Sequence, residues 1–210
     1  EMCIRDRRKG LWPRVTRAGL ALLALLFFII AMEEISWGQH LFGFQTPGLL
    51  AGNEQDEFNL HNWATDRIEN VYYLGAFAFL VVAPCLRLQF PRLAGDERLG
   101  PLIAPPWVVL IGALVCAFNY DMWNIVFTQV AFYGSLLALL LLAVLSKDRK
   151  DRTLVFVTMI VVIAAQGVFL ANGDRYERIW EVTEYKEFII ALGFFAFALS
   201  TLVDTESSSA

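Results

Sequence analysis

Charged residues cut this chain into apolar stretches with the lengths of membrane crossings. Arg17 and Glu33 enclose 15 uncharged residues, Glu69 and Arg87 enclose 17, and Arg98 and Asp121 enclose 22. Asp121 and Lys147 enclose 25, Arg152 and Asp174 enclose 21, and Glu187 and Asp204 enclose 16. A helix needs about 20 apolar residues, within roughly 17–25, to cross a hydrocarbon core about 30 Å thick. The spacing predicts an all-α fold, a polytopic transmembrane helix bundle forming one membrane domain over residues 1–210. Its six spans fall near 16–36, 70–88, 101–119, 123–146, 153–172 and 183–203. Charged residues make up 18% of the chain, well below the roughly 25% of soluble domains, which excludes a soluble globular protein. A net charge of −4 gives no sign of a nucleic-acid binder, since these are usually basic.

The basic residues predict the orientation. Arg5, Arg7, Arg8, Lys9, Arg14 and Arg17 precede the first span. Arg87, Arg92 and Arg98 sit in the second connection, and Lys147, Arg149, Lys150 and Arg152 in the fourth. The other connections share only Arg67, Arg175, Arg178 and Lys186. The positive-inside rule then places both termini in the cytoplasm. Both histidines, His40 and His61, and most acidic residues fall outside. Trp37, Trp63, Trp123 and Trp180 fall near the outer interface, as an aromatic belt would. Met32-Glu33-Glu34 offers no small-residue cleavage site, so the first apolar run is expected to be a retained helix rather than a signal peptide. Glu1–Arg7 resembles a translated sequencing adapter, and Arg8, Lys9, Arg14 and Arg17 carry the charge bias without it.

The two shortest windows border paired glutamates. Fifteen residues rise only about 22 Å, so the first helix is expected to continue past Glu33 through Ser36 to His40. That register puts Glu33, Ser36 and His40 on one face and Glu33 inside the hydrocarbon zone. The sixth span repeats the situation with Glu184 and Glu187, and a full-length helix there would start near Arg178. A carboxylate at membrane depth is costly unless it faces the bundle interior, so Glu33, Glu34, Glu184 and Glu187 are candidate functional residues. Pairing with Arg175, Arg178 or Lys186 would instead make them structural glue.

The connection from residue 37 to residue 69 is long, and its apolar anchors argue for an interfacial or re-entrant segment. Asn53, Gln55, Glu57, Asn59 and His61 alternate, which in an extended chain puts them on one side. In a helix Glu57 and His61 meet at i, i+4, so either geometry lets the carboxylate orient the imidazole. Asn62 would cap the second span. Candidate catalytic residues are Glu33, Glu34, Glu57, His61, Glu184 and Glu187. Trp37, Gln39, Asn53, Gln55, Asn59 and Asn62 are candidate substrate-binding residues. His61, Glu57 and Glu33 or Glu184 would suit a divalent metal, although nothing in the spacing demands one and the cofactor is left open.

Glu33-Glu34-Ile35-Ser36-Trp37-Gly38-Gln39, Gly43, Thr46-Pro47, Asn53, Gln55, Glu57 and Asn59-Leu60-His61-Asn62 together resemble a family of uncharacterised bacterial multi-pass membrane proteins. The resemblance covers about a seventh of the chain. It implies a bacterial cytoplasmic membrane and brings no assigned activity. Relatives carry Arg where this chain has His40, which favours His61 as the functional histidine. A second, weaker likeness is to intramembrane proteases with a Glu-Glu dyad, but their later histidine motifs are missing here. Seven-helix zinc hydrolases need three histidines, and only two exist.

These features lead first to a membrane-embedded enzyme of hydrolase or transferase type. Its substrate would be a lipid, a lipid-linked group or a peptide reaching the outer leaflet. The alternatives are a non-catalytic subunit that docks a membrane-protein partner through the outer loop, and a small-cation or proton transporter with an acidic outer vestibule. The membrane lipid is the partner expected in every case.

Overall fold

The computed structural model describes residues 12–46, 48, 57–60, 65–118, 125–172, 175 and 180–209. Among them the chain is helical, without strands. The helices are α1 (Arg14–Glu34), α2 (Gln39–Phe42), α3 (Thr65–Phe77), α4 (Ala83–Gln89), α5 (Pro91–Ala94), α6 (Val108–Val115), α7 (Ile125–Leu145), α8 (Arg149–Asn172) and α9 (Trp180–Ser209). A π-helical stretch, Ala78–Val82, joins α3 to α4 into one rod. Five helical segments are long and apolar enough to cross a membrane: Arg14–Glu34, Arg67–Gln89, Val126–Leu145, Arg149–Asn172 and Glu184–Val203. This is a helical bundle with the make-up of a multi-pass membrane protein.

The third apolar window behaves differently. Gly100–Leu102 forms a single tight turn, and the helix begins only at Val108, just past Pro105 and Pro106. Proline supplies no N–H and clashes with the preceding turn, so the helical start moves from residue 101 to residue 108. The described helix, Val108–Phe118, rises about 16 Å, short of a crossing. It is nevertheless the centre of the bundle, packing against the π-helical stretch, α7, α8 and α9.

Small residues explain that central position. Lipid tails are as apolar as leucine, so helices in a bilayer associate by close packing rather than by hydrophobic burial. Gly112, Ala113 and Ala117 on or after α6, and Ala131, Ala138 and Ala143 on α7, are the contact positions. A Cβ on Gly112 would lie 2.8 Å from the Leu80 carbonyl oxygen, and one on Gly193 would lie 2.7 Å from the Leu80 side chain. Both glycines therefore admit the π-helical stretch. Gly75, which recurs with Gly193 in a similar sequence, faces no neighbour within 4 Å.

The first helix begins before its window and stops short of the continuation expected to reach His40. It takes its length from the N-terminal side, starting at Arg14 and including Arg17, and stops at Glu34. Its 21 residues rise about 31 Å, enough for a crossing without continuing to His40. Thr16 anchors its N-terminal end by donating to the carbonyls of Glu97 and Arg98 at 3.2 and 3.0 Å. Higher up, α1 leans on the bundle through Phe27, which stacks on Phe194 with ring centroids 4.4 Å apart. The last helix, α9, runs from Trp180 to Ser209, beyond both ends of its apolar window.

Candidate functional site

The chain turns sharply where α1 ends. Ser36 and Trp37 have φ of 47° and 52°, and Gly38 follows at 80°. Only Gly38 takes that region without penalty, and such strain costs roughly 1–3 kcal/mol per residue elsewhere. The helix therefore does not continue, and Glu33, Ser36 and His40 do not form one helical face. A side-chain network holds the turn instead. Ser36 Oγ donates to Glu57 Oε2 at 2.7 Å, and Asn59 Nδ2 donates to the same oxygen at 2.9 Å. Asn59 Nδ2 also reaches Ser36 Oγ at 3.1 Å. His40 Nε2 lies 2.8 Å from Glu57 Oε1. Hydrogen bonds to charged groups contribute about 1.5–3 kcal/mol each, so a few of them offset the strain of the turn.

Partial burial raises the Glu57 carboxyl. Hydrogen bonds from Ser36, His40 and Asn59 and the proximity of His40 outweigh it, and the group is held below the ordinary carboxylate range. The sequence pairs Glu57 with His61, which lies outside the described residues; among the described residues His40 is an imidazole partner of Glu57. Asn53, Gln55 and Asn62 also lie outside the described residues.

Glu33 belongs to the same network. Its Oε1 accepts the Trp37 indole N–H at 2.7 Å and its Oε2 accepts the Leu60 backbone N–H at 2.6 Å. Gln39 accepts the Phe58 backbone N–H and donates to Thr46 Oγ1 at 3.0 Å. Glu33, Glu57, Trp37, Gln39 and Asn59 therefore tie residues 57–60 onto the end of α1. Both oxygens of each of these two carboxylates are engaged in fixing the loop, an arrangement that suits anchoring better than proton transfer.

Glu34, one position on, turns about 100° around the helix and faces α3 and α9. Its carboxyl is in hydrogen-bond contact with Glu187, and Glu184 and Glu69 are close enough to act on it electrostatically. Tyr73 O–H donates to Glu187 Oε1 at 2.6 Å. Over that ring, Lys186 Nζ sits 3.4 Å from the centroid, a cation–π contact. Lys186 is buried in the bundle, Glu187 is half-buried and Glu184 is exposed. The sequence singled out Glu34, Glu184 and Glu187. It did not single out Tyr72, Tyr73 or Glu69, because tyrosines near a span end read as interface anchors. It took Lys186 only as a possible ion-pair partner.

Two cavities meet at this cluster. One, of about 530 Å³, runs between α1 and α9 and is lined by Phe27, Ile30, Ala31, Phe188, Phe195 and their apolar neighbours, with Glu34, Tyr72, Glu184 and Glu187 at its polar end. The other, of about 270 Å³, is lined by Leu60, Ile68, Glu69 and Glu33, and it shares Ile30, Glu34, Tyr72 and Glu187 with the first. Leu60 reaches the second cavity because Glu33 holds its backbone there. The loop network thus builds one wall of the site that Glu34 enters.

Among the described residues, no three His, Cys, Asp or Glu side chains are grouped to hold a metal ion. The metal set considered from sequence includes His61, which lies outside that description. Two carboxyl groups in contact repel when both are ionised, so a proton or a cation has to stand between them. Chemically the cluster can pass a proton between its two carboxyls or hold a positively charged group. Comparison of the chain with protein-family models, curated proteins and solved structures returns no match, so this arrangement is read from its own chemistry.

Proposed function

We propose that the chain is an integral membrane enzyme of hydrolase or transferase type, acting on a lipid that enters from the outer leaflet. The observation that carries this reading is the Glu34–Glu187 contact at the polar end of a cavity with otherwise apolar walls. In such a pair one carboxyl takes a proton from water or an alcohol and the other returns it to the leaving group. Tyr73 is a positioning residue, fixing Glu187 through its O–H. Glu33 and Glu57 position the loop wall.

The reading includes six crossings, with the short α6 segment as the third, and both termini in the cytoplasm of a bacterium. The skew of Lys and Arg supports that orientation. A transporter finds less support. Two buried polar groups deeper in the bundle are satisfied within it: Ser135 Oγ lies 3.1 Å from Cys116 Sγ, and Thr158 donates to the Leu154 carbonyl at 3.0 Å, whereas buried Gln166 Oε1 has no hydrogen-bond partner among the described residues.

The test is genetic. A bacterial host lacking the protein is complemented with the wild type, Glu34→Gln or Glu187→Gln, and its membrane lipids are compared by mass spectrometry. The expected outcome is a lipid change on deletion that the wild type reverses and neither variant does. Identical lipids in all strains contradict the reading.

A further inference from the structure

We propose that the corner between α7 and α8 binds an anionic phospholipid of the surrounding bilayer, with its phosphate held by Lys147, Arg149 and Arg152 and the start of its acyl chain on Phe156. The 24 residues of α8 rise about 36 Å between this corner and the connection that leads to α9 and Glu187. The inference therefore goes beyond the catalytic reading and does not depend on it.

Two spanning helices meet here. Val126–Leu145 and Arg149–Asn172 are both long and apolar enough to cross a membrane, and only Ser146-Lys147-Asp148 joins them. The corner therefore sits where hydrocarbon gives way to headgroups. A groove of about 400 Å³ opens in it, lined by Lys147, Arg149, Arg152, Thr153 and Phe156. That volume falls within the roughly 300–1,000 Å³ of small-molecule sites. Arg149, Arg152, Thr153 and Phe156 follow at i, i+3, i+4 and i+7, one face of α8. Along that face polarity falls from guanidinium to hydroxyl to aromatic ring. Phosphate, glycerol and acyl chain of a phospholipid follow in the same order. Phe156 is 45% exposed, so it offers apolar surface to a chain below the charges.

Charge selects the headgroup. An excess of Lys and Arg on one side of a membrane orients a chain, but it does not require three cations to line one groove without an acid. None of the lining residues is a carboxylate. Asp148, beside Lys147 in the chain, is turned to the backbone, where its Oδ1 accepts the Lys150 N–H at 2.9 Å. Asp151 stands about 200° around the helix from Arg149. Among the described residues no carboxylate forms an ion pair with Lys147, Arg149 or Arg152. Arg152 Nη2 donates to the Ser146 carbonyl at 2.9 Å, which holds the guanidinium across the corner and leaves its other N–H groups to an anion. Two guanidiniums and an ammonium suit a phosphate, whose oxygens accept from all three. A zwitterionic headgroup brings a cation that meets no carboxylate in this groove, so charge complementarity favours a lipid of net negative charge. Inorganic phosphate would leave Phe156 uncovered, so the source is the lipid.

The test uses the full chain in lipid nanodiscs of phosphatidylcholine with equal minor fractions of phosphatidylglycerol and phosphatidylethanolamine. Native mass spectrometry reads which lipids stay bound. Phosphatidylglycerol should be retained about ten-fold over phosphatidylethanolamine. Arg149→Gln with Arg152→Gln should bring that ratio close to one. Arg92→Gln with Arg98→Gln removes the same charge at exposed positions outside the groove and should leave the ratio as it is. Excess inorganic phosphate should not displace the bound lipid. If the groove variant fails to fold, Arg149→Gln alone replaces it, since that side chain is exposed and makes no hydrogen bond among the described residues. The single change should lower the ratio about three-fold. Equal retention of the two lipids by the wild type overturns the proposal. So does an unchanged ratio in the folded groove variant, an equal fall in the control pair, or full displacement by inorganic phosphate.

Discussion

Tyr73 touches both signs of charge at the site, its O–H on Glu187 and its ring under Lys186. Tyr73→Phe keeps the ring and removes one hydrogen bond to a charged group. It should lower kcat about ten-fold with little change in KM, and should move the pH–rate profile, because Glu187 loses its donor. Tyr73→Leu should lower kcat further and reduce thermal stability, since Lys186 loses its aromatic face. A Tyr73→Phe enzyme with wild-type kcat and an unmoved profile would leave Tyr73 a packing residue only. Glu57 makes a separate prediction. Its folded-state carboxyl sits below the ordinary range, so the loop stabilisation it provides is present above the unfolded pKa of about 4.3 and is lost as pH falls through the folded value. Hydrogen exchange at Phe58 and Leu60, corrected for intrinsic rate, should show protection near neutral pH that collapses in acid. In Glu57→Gln the protection should already be weak at neutral pH, without that acid transition.

At the scale of elements, the account rests on where helices end and how closely they approach. The sequence displayed the glutamate pairs but not their division of labour. Glu33 and Glu34 are adjacent, and only the turn at Ser36 and Trp37 decides that one faces the loop and the other the bundle. That turn was not legible, because no proline marks it and positive φ at serine and tryptophan runs against local preference. The spacing of charged residues alone put the third span at residue 101, and Pro105 and Pro106 account for its start at Val108. The roles of Gly75 and Gly193 could not be separated by sequence, since both occupy the same short motif. They differ only in what packs against them. Gly112→Ala should cost roughly 1–3 kcal/mol, because its new methyl meets the Leu80 backbone. Gly193→Ala should cost less, because it meets a movable side chain, and Gly75→Ala should be close to neutral. Thermal unfolding in detergent, followed by circular dichroism, gives the order. Equal midpoints for all three would contradict the close approach at Gly112.

For the whole molecule, charge scarcity and its sidedness carried most of what could be read in advance. The apolar windows gave the helical bundle, and the basic residues gave a predicted orientation that the fold leaves for labelling to check. With the three native cysteines replaced, a cysteine at His40 should react with an impermeant maleimide on intact cells. A cysteine at Lys150 should react only after permeabilisation. The reverse pattern would invert the topology and place the acidic cavity on the cytoplasmic leaflet. The cavity itself was not legible, because its walls come from helices far apart in the chain, Phe27 on α1 and Phe188 on α9, and apolar residues at such positions read equally well as lipid-facing surface. The central claim is that Glu34 and Glu187 act together on a lipid in that cavity. Its most direct test is a time course of the purified full chain reconstituted in vesicles of total bacterial polar lipid, followed by liquid chromatography and mass spectrometry. The account predicts conversion of one lipid class by the wild type and at least a roughly 100-fold slower conversion by Glu34→Gln or Glu187→Gln, with Glu57→Gln retaining most of the rate. No lipid change with the wild type, or a Glu34→Gln rate equal to it, would contradict the account.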